Sequence, residues 1–173
     1  MSQSEVAQLR TLLTQQIKAR GLFYLAVHRA MADRFGSAAA DEVMRAAIYQ
    51  RGLAASERFK AYAPDDFAGL RDAFLDFVPD GAHTFRPEVV RCDDEGLDIH
   101  LQNCPMRDSW QEAGISGDEV GTLCELAGVV DKGTFEGAGF TIDNETWRPG
   151  REGGGCCRLH IRRKTQPSAD VLP

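Results

Sequence analysis

The chain has 173 residues, 43% hydrophobic and 27% charged, enough for one compact domain with a buried core and too few for two ordinary domains and a linker. That composition excludes a disordered polymer, and no apolar run approaches the length of a membrane span. Against 26 Asp and Glu stand 20 Lys and Arg, a net charge of −6, so the charge favours neither nucleic acid nor an anionic membrane as a partner.

The first half has a helical period. Val6, Leu9, Leu13 and Ile17 recur every three or four residues, and Gly21 after Lys18 and Arg20 predicts a stop. A second helix is predicted through Phe23, Val27, Ala30 and Met31, ending at Gly36. Ser37 is the expected N-cap of a third, over residues 38–62, with Gly52 a weak point inside it and Pro64 beyond its end. Asp65 and Asp66 cap a fourth, whose Phe67, Leu70, Phe74 and Phe77 fall on one stripe before Pro79, Asp80 and Gly81.

After Gly81 the period changes to two. Residues 83–91 and 97–101 predict a hairpin across Asp93-Asp94-Glu95-Gly96, and Pro87 implies an edge strand or an irregularity. Two short helices over 106–113 and 117–127 precede strands over 139–142 and 157–161, joined through a Pro149-Gly150 turn and the glycine run 153–155. The expected fold is α+β: N-terminal helices packed on a four-stranded antiparallel sheet, with two short helices inserted between the strand pairs. Residues 1–164 are expected to form one domain and 165–173 a disordered tail.

The cysteine count is five, an odd number. The chain starts without a basic stretch leading into an apolar one, so the expectation is a cytoplasmic protein with reduced thiols. Cys104 lies between a strand and Pro105 at a helix mouth, where free amides and the helix dipole favour a thiolate, as nucleophile or metal ligand; the alternative is a small core residue. Cys124 shares a helical face with Val120, Leu123 and Ala127, which by itself reads as core packing. Cys157 alternates in phase with Leu159 and Ile161, facing inward, while Arg158, His160 and Arg162 face outward. Cys156 must face away from Cys157 in a regular strand and reads as a bystander; Cys92 reads as structural or exposed. Inward thiols from separate elements can converge, although the C-x2-C and H-x3-H spacings of zinc ribbons and fingers are absent.

His100 and His160 fall at solvated strand positions. Asp143 and Glu145 follow an apolar strand ahead of Trp147, where one can turn inward as a general base or metal ligand. Trp110 and Trp147 are core residues by default and pocket walls as the functional alternative. The glycine run has no phosphate-loop pattern.

Asn103-Cys104-Pro105, Trp110-Gln111-Glu112-Ala113-Gly114, Leu123-Cys124-Glu125, Phe140-Thr141, and Gly150 ahead of Cys157-Arg158-Leu159-His160-Ile161 together resemble the L-2-amino-thiazoline-4-carboxylic acid hydrolase family over residues 97–161. Leu159 stands where an aromatic is usual, Cys156 and extra glycines precede Cys157, and the acidic role after Cys124 falls to Glu125 or Asp131 or is absent. The resemblance implies a hydrolase that opens a small cyclic amidine or thiazoline carboxylate at a C–N bond, with Cys104 and Cys124, joined by Cys157, as the catalytic centre. Such a carbon needs an activated nucleophile and a proton donor for the departing nitrogen. Arg107, Arg148 or Arg158 would pair with the substrate carboxylate, and Arg107 with Trp110 and Trp147 makes up the expected substrate set. A more distant similarity to four-vinyl-reductase-type sensor domains implies a rival: a non-catalytic small-molecule-binding domain in which Cys104, Cys124, Cys157 and Glu145 hold zinc. It also implies a homodimer paired through the N-terminal helices.

Overall fold

The computed structural model describes residues 1–80, 83–151 and 155–164. Helix α1 (Gln3–Phe35) opens on a capping box: the Ser2 hydroxyl accepts from the Glu5 amide at 3.2 Å, and the Glu5 carboxylate accepts from the Ser2 amide at 2.6 Å. It runs on through Gly21, so the two helices expected at the N-terminus are one. Gly21 is a packing residue instead of a stop: a Cβ there would lie 2.7 Å from the Ser109 hydroxyl oxygen. Helix α2 (Ser37–Ser56) has Gly36, not Ser37, in its cap position, and a short 3₁₀ turn (Lys60–Tyr62) replaces the expected helical run to residue 62. Helix α3 (Phe67–Phe77) begins where expected, with the Asp66 carboxylate accepting from the Gly69 amide at 2.8 Å.

Strands β1 (Pro87–Asp93) and β2 (Gly96–Leu101) form the expected hairpin. Pro87 marks an edge: β1 is at the sheet edge with Pro87 as its first residue, and its register shift falls further on, between Val89 and Arg91. Residues 83–85 form a turn, not the start of the strand. Helix α4 (Pro105–Glu112) is short, but α5 (Gly117–Ala138) continues eleven residues past the expected end at Ala127. Its interior glycines are contact points: a Cβ at Gly137 would meet Ser56 at 2.9 Å, and one at Gly133 would meet the Gly52 Cα at 3.1 Å. Strands β3 (Phe140–Glu145) and β4 (Cys157–Arg163) complete an antiparallel sheet of order β1-β2-β4-β3. The architecture is therefore α+β, as the sequence implies. Gly153 and Gly154 of the glycine run, and the expected tail at 165–173, lie outside the described residues.

One face of the sheet is apolar. Leu97, Ile99, Leu159 and Ile161 bury completely against Phe74 and Phe135, each contributing about 1.5–3 kcal/mol of burial. Asp98, His100, Arg158, His160 and Arg162 occupy the opposite, charged face. A second core lies beneath α1, where Ile17, Leu25, Met106, Trp110 and Leu123 meet. Among the described residues no helix is long and apolar enough to cross a membrane.

Candidate functional site

Backbone hydrogen bonds bring the cysteine-bearing segments together. The amides of Gln102 and Asn103 donate to the Arg86 and Phe85 carbonyls at 3.2 and 3.1 Å, and the Asn103 side chain donates to the Thr84 carbonyl at 3.0 Å. These bonds hold Cys104 in the N-cap position of α4. The Cys156 amide donates to the Leu101 carbonyl at 2.6 Å, and Cys157 stands opposite Leu101 in the β2–β4 register, so both arrive at the same segment.

Helix α5 supplies the other wall. Cys124, Gly128 and Asp131 are spaced i, i+4, i+7 and share one helical stripe. A Cβ at Gly128 would lie 2.7 Å from the Thr146 methyl and 2.9 Å from Asn144 Nδ2. Glycine therefore lets Asn144 of β3 approach the helix, where its amide donates to the Gly128 carbonyl at 2.9 Å and to the Asp131 carboxylate at 3.1 Å.

Burial dominates the electrostatics. It pushes the Cys104 thiol up, against the opposing pull of the Arg107 and Met106 amides and the Arg107 guanidinium. The thiolate expected from the helix mouth is thus overridden by desolvation. Burial also raises Cys124, with added repulsion from Cys104 and Cys156, and pushes Cys156 up to about 12. Cys157 is raised well above the ordinary thiol range by burial first, then by Cys104, Asp131, Cys124 and Cys156. Asp131 itself is pushed up to about 7 by burial, opposed only by the Asn144 hydrogen bond. A carboxyl group poised near neutral pH beside protonated thiols can take a proton from a thiol or water and return it to a leaving group.

The sequence-expected residues divide. Cys104, Cys124 and Cys157 interact, and Cys156 joins them because it precedes β4, so strand alternation does not turn it away. Arg107 sits beside Cys104 and Cys156, with its Nε and Nη2 donating to Asp108 at 3.1 and 2.7 Å. Trp147 packs, partly open, in the apolar cluster that holds Cys104 and Cys124. Trp110 belongs to the same cluster but is fully enclosed, its indole N–H donating to the Gly21 carbonyl at 2.7 Å. Glu145 points to the opposite sheet face, where its carboxylate binds Arg151 and lies 3.5 Å from Arg158 and 3.7 Å from His160. Three thiols suit zinc by ligand type, yet Glu145 does not join them. Among the described residues no group of three or more His, Cys, Asp or Glu side chains is arranged to hold a metal.

Sequence reasoning left the acidic role open between Glu125 and Asp131. Glu125 is held in a solvent-facing pair, 2.5 Å from Arg148 and 3.6 Å from Arg45. The Cys-x3-Gly-x2-Asp spacing on a helix is the signal that singles out Asp131. Asn144 was missed, since only the α5–β3 contact reveals its role.

Fold and site together define an α+β protein with a buried cluster of thiols and one carboxyl group. Residues 15–161 match the family model of L-2-amino-thiazoline-4-carboxylic acid hydrolase, and the chain belongs to that family. The family's name describes a hydrolase of a cyclic thiazoline carboxylate, a small-molecule substrate. No curated protein matches the chain.

Proposed function

We propose that this chain opens a small cyclic amidine or thiazoline carboxylate by hydrolysing its ring C–N bond at a centre made by Cys104, Cys124 and Cys157, with Asp131 as the acid–base group. The reading is supported by the packing of Cys104 and Cys124 in one apolar cluster with Trp147, by Cys157 standing opposite Leu101 on the segment that leads into Cys104, and by the buried Asp131 on the same helical stripe as Cys124. Because burial keeps the thiols protonated, the nucleophile needs a base when it attacks. Cys157, beside Asp131, is the thiol with a base at hand. The Cys157 sulfur bonds to the amidine carbon as its proton passes through Asp131 to the ring nitrogen, and the ring C–N bond breaks; one water then adds to that carbon and the S–C bond breaks to return the thiol, so that the water's oxygen ends on carbon and two hydrogens on the departed nitrogen. Arg107 borders the centre from α4, Trp147 from the segment after β3, and Trp110 anchors α4 to α1.

Incubation of the wild type with 2-amino-thiazoline-4-carboxylate tests this reading. Cys104→Ala and Cys124→Ala should each lower turnover by about 100-fold or more, with unchanged circular dichroism. Unchanged turnover in both variants refutes the assigned centre. A protein that binds the heterocycle, never consumes it and carries stoichiometric zinc would instead support the sensor reading, with Cys104, Cys124 and Cys157 as ligands and a fourth ligand other than Glu145.

We further propose a cytoplasmic protein whose residues 1–164 fold as one domain, paired as a homodimer through α1. Leu9, Leu12, Leu22 and Phe23 of that helix are exposed apolar residues, which supports an apolar partner surface. Sedimentation equilibrium should give twice the chain mass for the wild type and a monomer for Leu9→Glu/Phe23→Glu; a monomeric wild type contradicts the pairing.

A further inference from the structure

Asn144 lines a cavity of about 380 Å³, within the size range of small-molecule sites. Its lining includes Arg45, Lys132, Arg148 and Arg151 against only two carboxylates, Glu125 and Glu145. In a chain of net charge −6 this is a local concentration of positive charge. Glu125 is occupied by Arg148 and Arg45, and Glu145 by Arg151 and Arg158. Lys132 is exposed and has no ion-pair partner among the described residues.

The cavity wall also holds an incomplete hydrogen-bond set. Both amide hydrogens of Asn144 are directed at acceptors, the Gly128 carbonyl and the Asp131 carboxylate, which fixes the orientation of the amide. Asn144 Oδ1 is then left buried with no donor among the described residues. A buried acceptor without a donor is destabilising, and a ligand N–H arriving from the cavity would satisfy it.

We propose that this cavity is the binding subsite for an amphoteric small molecule, with Lys132 receiving its carboxylate and Asn144 Oδ1 accepting an N–H from its nitrogen end. The proposal rests on the hydrolase reading for its link to chemistry. Asn144 binds Asp131 directly, and Thr146, also in the cavity lining, follows Glu145 just as Cys157 precedes Arg158 in the β3–β4 register. A ligand whose nitrogen end sits on Asn144 therefore meets the centre from the Asp131 side, with its carboxylate held at the open, basic rim.

The test uses thiazolidine-4-carboxylate, which has the ring, the N–H and the carboxylate but no amidine carbon to hydrolyse, titrated calorimetrically into the full chain. Lys132→Met should weaken its binding by about tenfold, Lys132→Arg should restore most of it, and thiazolidine without the carboxylate should bind wild type and Lys132→Met equally. No binding by the wild type, or equal binding of the acid by wild type and Lys132→Met, overturns the proposal. Turnover separates the two readings. If the wild type binds the acid through Lys132 but opens no ring, the hydrolase reading fails and the subsite stands; if Lys132→Met turns over 2-amino-thiazoline-4-carboxylate with an unchanged KM, the subsite fails and the hydrolase reading stands.

Discussion

Replacing Asp131 by Asn should make the protein less sensitive to rising pH. Burial lifts the carboxyl group from its ordinary 3.8 to about 7 in the folded chain. The unfolded chain loses this proton near the lower value and the folded chain near the higher one, so between them the folded state binds more protons and stability falls as pH rises. At 1.36 kcal/mol per pH unit the cost is about 1.5 kcal/mol at pH 5 and about 4 kcal/mol at pH 8. Asp131→Asn keeps the shape and removes the ionisation, so its stability relative to wild type should improve by about 2.5 kcal/mol between pH 5 and pH 8. Urea unfolding followed by tryptophan fluorescence at the two pH values measures this, and ionisations common to both proteins cancel in the difference. An equal wild-type-to-variant difference at pH 5 and pH 8 would show that Asp131 is not held in a desolvated environment.

Two further outcomes follow from the packing and the thiols. Trp110→Phe removes the indole N–H from the buried Gly21 carbonyl and should cost about 1–3 kcal/mol in urea unfolding; a loss below about 0.5 kcal/mol contradicts the anchoring of α4 to α1. Because burial raises the Cys104, Cys124, Cys156 and Cys157 thiols, iodoacetamide at pH 7.5 should alkylate these four slowly in the folded protein and readily in urea. Fast modification of Cys124 in the folded chain would argue against its burial.

The hairpin, the α3 cap and the sheet's inward and outward faces were legible in the sequence because each depends on local periodicity and turn chemistry. Not every helix end was: Gly36 stops its helix and α3 ends before Pro79 as expected, but Gly21 and Ala127 lie inside longer helices. Gly21 carries the local signature of a stop and Gly128 follows the expected end at Ala127, yet each is glycine because another segment passes too close for a Cβ: Ser109 and Asn144 respectively. Tertiary contact, invisible in a single sequence, decides whether such a glycine ends a helix or lets one cross its neighbour. The same limit applies at the site. Alternation turned Cys157 inward correctly toward the buried side, but the helix-mouth argument for a Cys104 thiolate ignored how deeply the thiol is enclosed. The partner of Asp131 is a residue of β3, thirteen positions away in the chain, and nothing local in the sequence joins them.

The most direct test of the account is a mass-spectrometric time course of 2-amino-thiazoline-4-carboxylate with wild type, Cys157→Ser and Asp131→Asn. The account predicts a product heavier by one water with the wild type and little or none with either variant, both variants remaining folded by circular dichroism. Full conversion by both variants would contradict a centre in which a buried thiol attacks and Asp131 carries the proton.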